Sequence, residues 1–100
     1  MQVTFRTAQL KRCYERIEEA KGRWGDTVGD RYVGRINALY AAESVEDLFR
    51  LPPLRFHPLK GDRKGQFALT LIDRFRLIVS FPDEDRKTVR VEEVSQHYGD

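Results

Sequence analysis

Apolar residues in the first half of the chain recur at steps of three and four, which is typical of amphipathic helices. One stripe runs from about Thr7 to Trp24, and Gly25 is suited to end that helix. Its members are Leu10, Cys13, Tyr14, Ile17, Ala20 and Trp24. A second stripe, beginning at Asp26 or Thr27, reaches about residue 42. The pattern therefore predicts two long helices, preceded by a short strand at residues 2–5.

Two further signals refine this helical half. Gly29 and Gly34 lie within the second predicted helix, and each weakens it by about 1 kcal/mol relative to alanine. The run from Ser44 to Asp47 has the pattern of a capping box, which predicts a short third helix. The two prolines at positions 52 and 53 would end it, because the residue before a proline avoids helical backbone angles.

The apolar period then changes to two, which indicates strands. Phe67, Leu69 and Leu71 fall on one face of residues 66–72, and Phe75, Leu77, Val79 and Phe81 fall on one face of residues 75–81. Asp73-Arg74 between the two segments predicts the turn of an antiparallel hairpin. A further strand is predicted at 88–94, with a bulge where the alternation slips at Glu92-Glu93. Helices followed by strands indicate an α+β domain.

The alternation also assigns the two faces of the hairpin. Helices should cover one face, and its apolar side chains are Phe67, Leu69, Leu77 and Val79. Arg76 should then project from the opposite face, on the side that Gln66 and Thr70 line.

Length and composition favour a single cytoplasmic domain spanning residues 1–100. The chain is 40% apolar and holds one cysteine, Cys13, which cannot form an internal disulfide. It contains neither a membrane-length apolar run nor a secretory signal. Cysteine and histidine are not clustered as zinc ligands would be, so no metal and no cofactor are expected.

Positive charge is concentrated in one segment. Residues 50–76 carry seven Lys and Arg against two Asp, a net +5, whereas the whole chain has a net charge of +2. Such a local field attracts polyanions. The alternative is a solvated basic surface that binds nothing.

The segment from Arg55 to Phe81 reads RFHPLKGDRKGQFALTLIDRFRLIVSF and resembles the signature of HigB-type toxins of the RelE/ParE superfamily. The preceding helical half is similar to the plasmid-maintenance killer branch of that family, and the closing VRVEEVSQHYGD resembles its last strand and tail. The most specific part is the block from His57 to Gly65 followed by the Arg76 strand. In the better-studied branch the tail ends in acid, tyrosine and histidine. Here His97 precedes Tyr98, and Gln96 takes the place of the acid.

The resemblance implies two or three helices on a curved, mostly antiparallel sheet. It implies a toxin of a type II toxin–antitoxin system that enters the ribosome and cleaves mRNA. Its partners would be the ribosome, mRNA and a cognate antitoxin, often a helix-turn-helix protein. Operator DNA would be bound only through the antitoxin complex, and no membrane would be involved.

RNA cleavage without a metal needs a base for the ribose 2′-OH, donors for the phosphorane and an acid for the leaving oxygen. Imidazoles titrate near neutral pH, so His57 and His97 are candidates for base and acid. Arg76 is assigned to the scissile phosphate, a role that Lys60 could share if it does not act as the base. Tyr98 could stack on a base or donate a hydrogen bond.

Four further cations are predicted to contact the RNA backbone: Arg55, Arg63, Lys64 and Arg74. Structural alternatives remain for the catalytic candidates. Arg76 could form an ion pair with a nearby acid, and His57 could be a structural histidine beside a proline.

Two other functions fit the same scaffold. A ParE-like toxin would inhibit DNA gyrase by binding and would need no acid–base pair. A detoxified relative would serve as a nucleic-acid-binding or partner-binding module. Cleaved transcripts distinguish the nuclease from both.

Overall fold

The computed structural model describes residues 1–96, which form four helices and five strands, and the predicted α+β class is confirmed. In chain order the elements are β1 (Gln2–Phe5), α1 (Ala8–Glu15), α2 (Ile17–Trp24), α3 (Asp26–Ala41), α4 (Val45–Phe49), β2 (His57–Pro58), β3 (Gln66–Ile72), β4 (Phe75–Ser80) and β5 (Thr88–Ser95), with short 3₁₀ turns at Pro52–Leu54 and Gly61–Arg63. None of the helices in this range combines the length and hydropathy of a membrane span.

The strands form one sheet in the order β1-β5-β4-β3-β2. All neighbours are antiparallel except β1 and β5, which run parallel. The predicted β3–β4 hairpin is confirmed, with Asp73 in its turn at a φ of 53°. Aspartate tolerates this left-handed conformation better than most residues. The parallel pairing of β1 with β5 was not predicted, because no local pattern encodes a contact between distant segments.

The hydrophobic core lies between the helices and one face of the sheet, as predicted. Phe67, Leu69, Leu77 and Val79 are buried there against helix residues such as Ile36. Tyr32 lies in the same core, and its hydroxyl donates to the Leu10 carbonyl at 2.7 Å. Cys13 is 2% exposed, and burial raises the pKa of its thiol. Cys13 therefore packs in the core, as expected.

The bulge predicted in the last strand is confirmed. Ile78 pairs with Glu93 and Val79 pairs with Val91, so Glu92 is the extra residue on β5. An extra residue of this kind re-aims the side chains beside it. Here it leaves two consecutive glutamates on the side of the sheet away from the helices.

The single helix predicted from Thr7 to Trp24 is wrong, because the chain breaks at Arg16 into α1 and α2. Arg16 has extended angles (φ −130°, ψ 98°). The break separates two packing directions: Leu10 and Cys13 stay in the core on α1, while α2 runs along α3. Ile17, placed in the stripe by periodicity, is 36% exposed as a result.

The predicted capping box forms only in part. The helix begins after Ser44 as expected, but the Ser44 side chain makes no capping hydrogen bond. Asp47 Oδ2 instead accepts from the backbone N–H of Glu43 at 2.9 Å, one residue earlier than a capping box requires.

Gly29 has a structural function that its low helix propensity conceals. A Cβ built at this position would lie 2.8 Å from the backbone nitrogen of Lys21 on α2. Gly34, on the same helix, has nothing within 4 Å of such a Cβ. The missing side chain at Gly29 therefore permits the close contact between α2 and α3.

Gly29→Ala and Gly34→Ala form a matched pair that should shift stability in opposite directions. We expect Gly29→Ala to lower the free energy of unfolding by about 1–3 kcal/mol through overpacking. Gly34→Ala should raise it by up to about 1 kcal/mol through helix propensity. Urea denaturation of the two variants measures both effects. Equal shifts of the same sign would contradict the role given to Gly29.

Candidate active site and nucleic-acid interface

The sheet face away from the helices, called the open face below, carries the polar side chains that alternate with the core. Cross-strand pairing places residues side by side in three rows. The rows are His57–Ala68–Ile78–Glu93, Thr70–Arg76–Ser95 and Gln66–Ser80–Arg90. Arg76 therefore lies opposite the helices and beside Thr70, as predicted.

A small apolar floor lies in the middle of the open face. Leu59, Ala68 and Ile78 are 4%, 0% and 1% exposed, and they form a cluster separate from the main core. The Leu59 backbone N–H donates to the Gln66 carbonyl at 2.9 Å, which extends the β2–β3 pairing. Leu59 thus anchors the start of the cationic loop at residues 60–65 to the sheet.

His57 lies on β2 in register with Ala68, so its side chain belongs to the open face. Its Nδ1 is 2.8 Å from the Arg55 carbonyl oxygen. A carbonyl oxygen can only accept, so Nδ1 is the donor, and the neutral ring has its lone pair on Nε2. This contact leaves Nε2 able to take up a proton.

Arg76 is half-buried and its guanidinium is oriented by the backbone. Nη1 donates to the carbonyl oxygens of Asp73 and Phe75, the latter at 3.0 Å. The backbone of Thr70, which is paired with Arg76, is held from the helical side. Arg35 of α3 donates through Nε to the Thr70 carbonyl at 2.9 Å. Burial lowers the pKa of the Arg35 guanidinium from its usual value. A strand position and hydrogen bonds to two backbone carbonyls therefore orient Arg76.

The loop cations have different environments. Arg63 forms an ion pair with Glu93 at 3.1 Å and donates to Gln66 Oε1 at 3.2 Å. Lys60 and Lys64 are exposed, and no carboxylate within residues 1–96 forms an ion pair with either. Arg63 is thus held across the face, whereas the two lysines project from the loop.

The remaining predicted residues are peripheral or lie outside the described range. Arg55 is exposed just before β2 and has a φ of 49°, and Arg74 is exposed in the β3–β4 turn. His97 and Tyr98 lie beyond residue 96, outside the described residues. Their assignment stays a prediction.

The open face also carries charged residues that the sequence pattern did not indicate as members of the site. Arg90 lies next to Ser80, and Arg6 follows β1 and contacts Glu92. Glu92 accepts from Ser80 Oγ at 2.5 Å and is 3.2 Å from Arg90 Nε. Arg90 alternates with the buried Val89 and Val91, and this pattern in the sequence is sufficient to place Arg90 on the open face. The position of Arg6 could not be predicted from the sequence, because it depends on the pairing of β1 with β5.

This arrangement of helices packed on a mixed five-stranded sheet matches the fold of solved toxins of the YoeB and YafQ types. A YoeB/ParE toxin from Agrobacterium tumefaciens is 22% identical, with a TM-score of 0.58, over 98% of this chain and 100% of that one. The YoeB-YefM complex from Staphylococcus aureus matches at 18% identity and TM-score 0.54, over 98% of each chain.

A histidine-to-glutamine mutant of YafQ from E. coli matches at 20% identity and TM-score 0.55. That match covers 94% of this chain and 90% of the other. Neither a protein-family model nor a curated protein matches the sequence. At these identities the similarity establishes the shared fold, and the HigB branch indicated by the sequence stays a prediction.

Leu59→Ala should release the cationic loop without removing the main core. The loop contains Lys60, Arg63 and Lys64, which are trypsin sites. We expect trypsin to cleave there roughly tenfold faster or more, because cleavage follows the population of the locally open state. Leu51→Ala, at a side chain that is 44% exposed, is the control and should leave the rate unchanged. Equal rates in all three proteins would show that Leu59 does not hold the loop.

Proposed function

We propose that the protein is the toxin of a type II toxin–antitoxin system and cleaves mRNA on the ribosome without a metal. The observation that carries this proposal is the placement of His57 and Arg76 on one open face around an apolar floor. Two strand spacings and two residues separate them, roughly 12 Å between Cα atoms. Their side chains can converge on one phosphodiester across Ala68.

In this mechanism His57 Nε2 takes the proton of a ribose 2′-OH. The 2′-oxygen then attacks the adjacent phosphorus, and the bond from phosphorus to the 5′-oxygen breaks. Arg76 stabilises the charge on the phosphorane, with Lys60 available to share it. The departing 5′-oxygen takes a proton from an acid, a role for which Lys60, His97 and Tyr98 are candidates. The products are a 2′,3′-cyclic phosphate and a 5′-hydroxyl.

The surrounding charges suit an RNA ligand. Exposed Lys60 and Lys64 project beside the face, and Arg55 and Arg74 are exposed at its margins. Contacts of this kind to the phosphate backbone position a strand without reading its sequence. Arg63, held by Glu93, would contact RNA only through the part of its guanidinium that the ion pair leaves accessible.

A cognate antitoxin belongs to the proposal as well. One structure with this fold is a YoeB-YefM complex, which supports a protein partner for the present chain. By the family resemblance this partner is a helix-turn-helix protein that also brings operator DNA to the complex. Covering a cationic open face would be an effective way to inhibit it.

Arg76→Ala should abolish transcript cleavage. Removing one donor from a developing oxyanion costs about 10²- to 10³-fold in rate. Primer extension of transcripts after brief induction measures it, with cyclic-phosphate ends diagnostic of the wild-type reaction. Arg31→Ala, an exposed arginine on α3, is the charge-matched control and should cut normally. Undiminished cutting by Arg76→Ala would refute the proposed site. Intact transcripts together with DNA-damage signalling in cells that express the wild type would instead favour DNA gyrase as the target.

His57→Asn should separate catalysis from folding. The asparagine amide can replace Nδ1–H as a donor to the Arg55 carbonyl, but it has no proton acceptor of imidazole basicity. We expect the cleavage rate to fall by about 10²- to 10⁴-fold while ribosome binding is retained. Single-turnover cleavage on programmed ribosomes and co-sedimentation give the two readouts. Wild-type rates in this variant would assign His57 a structural function only.

A further inference from the structure

Two arginines from opposite ends of the sequence meet at the bulge of β5. Arg6 donates through Nε to the Glu92 carbonyl at 2.8 Å and lies 3.6 Å from its carboxylate. Arg90 Nε is 3.2 Å from the same carboxylate. We call Arg6 and Arg90 the arginine pair. They belong to none of the residue sets that the sequence indicated.

The arginine pair is exposed although its acid is not. The Arg6 and Arg90 side chains are 49% and 45% exposed, whereas the Glu92 side chain is 11% exposed and also accepts from Ser80. Burying the Glu92 carboxylate costs solvation free energy. Its ion pairs with two exposed arginines contribute little to the stability of the fold. The arrangement is better suited to orienting two guanidinium groups than to stabilising the fold.

The contacts leave the ligand-binding edge of each guanidinium available. In both arginines the nitrogen nearest Glu92 is Nε, and within residues 1–96 their terminal nitrogens donate no hydrogen bond. Those terminal N–H groups form the fork that binds a phosphate in two places. One carboxylate against two arginines leaves one positive charge at the site.

The arginine pair faces the same side as the proposed active site. Arg90 pairs with Ser80 on β4, and Ser80 lies four residues from Arg76 on that strand. At about 3.4 Å per residue Arg90 lies roughly 14 Å from the Arg76 row, and Arg6, which follows the Val91 partner Phe5, lies closer to that row along the strand direction. A single RNA strand that crosses the open face from β4 towards β5 and β1 would reach both places.

We propose that Arg6 and Arg90 form a second phosphate subsite, which binds the RNA backbone at a phosphate other than the one that is cut. This inference rests on the proposed function, since it assigns a second contact to the same substrate. It predicts that the subsite supplies affinity and leaves the rate of the bound complex unchanged.

The test uses an uncleavable probe, a labelled 12-nucleotide single strand with 2′-O-methyl riboses throughout. Anisotropy titrations between 25 and 300 mM KCl give the slope of log affinity against log salt concentration. Each phosphate contact contributes roughly 0.7–0.9 to that slope. We expect Arg6→Ala/Arg90→Ala to reduce it by 1–2, and Arg16→Ala/Arg31→Ala, a pair on the helical side, to leave it unchanged.

Further variants keep the result interpretable. Arg6→Gln/Arg90→Gln retains hydrogen-bond donors for Glu92 and should show the same loss of slope, so it carries the test if the alanine variant does not fold. Arg6→Lys/Arg90→Lys should keep the slope but bind more weakly, because the charge stays and the fork is lost.

A wild-type slope in the folded alanine or glutamine variant overturns the subsite. If that variant also binds a poly-glutamate peptide more weakly, the arginine pair belongs to an acidic protein segment instead. Failure of the proposed function looks different, because transcripts would then stay intact in wild-type cells. Intact transcripts together with a reduced slope would leave the arginine pair as a polyanion site in its own right.

Discussion

Burial of one face of the β3–β4 hairpin under the helices is the constraint on which the rest of the molecule depends. Leu69 and Leu77 are fully buried and directly paired, so a slip of one residue in either strand would turn the leucine of that strand away from the core. The same register sends Arg76 to the open face. The position of the proposed phosphate-binding group is therefore determined by hydrophobic packing on the reverse side of the strand that carries it.

The acids of the β5 bulge organise the cations of the open face. Glu93 holds Arg63 across the sheet, and Glu92 holds the arginine pair at the other end. Partial neutralisation of this kind lowers repulsion among the cations while it orients them. Fixed guanidinium groups also lose less conformational entropy when a phosphate binds than free ones would.

Local patterns in the sequence were sufficient for the hairpin, the bulge and the face of Arg76. Alternation with period two depends only on neighbouring residues, and the burial of Leu69 and Leu77 follows it. The break at Arg16 could not be read, because it arises from where α2 must pack on α3 and not from helix propensity. Likewise, Gly29 looked unfavourable in sequence and proved to be required by a tertiary contact. Arg6 reaches the site only through a strand pairing that no local signal encodes.

The pairing of β1 with β5 also affects the order in which parts of the molecule assemble. Gln2 pairs with Thr88, 86 positions further along, and β5 lies between β1 and β4 in the sheet. Contacts between segments so far apart in sequence close slowly, since the entropy of the intervening loop must be overcome first. Until they close, Arg6 has no Glu92 to hold it, whereas Arg76 and Ser95 belong to the β4–β5 pairing and do not depend on β1. A half-folded chain can therefore hold the hairpin that positions Arg76 before Arg6 and Arg90 are brought together.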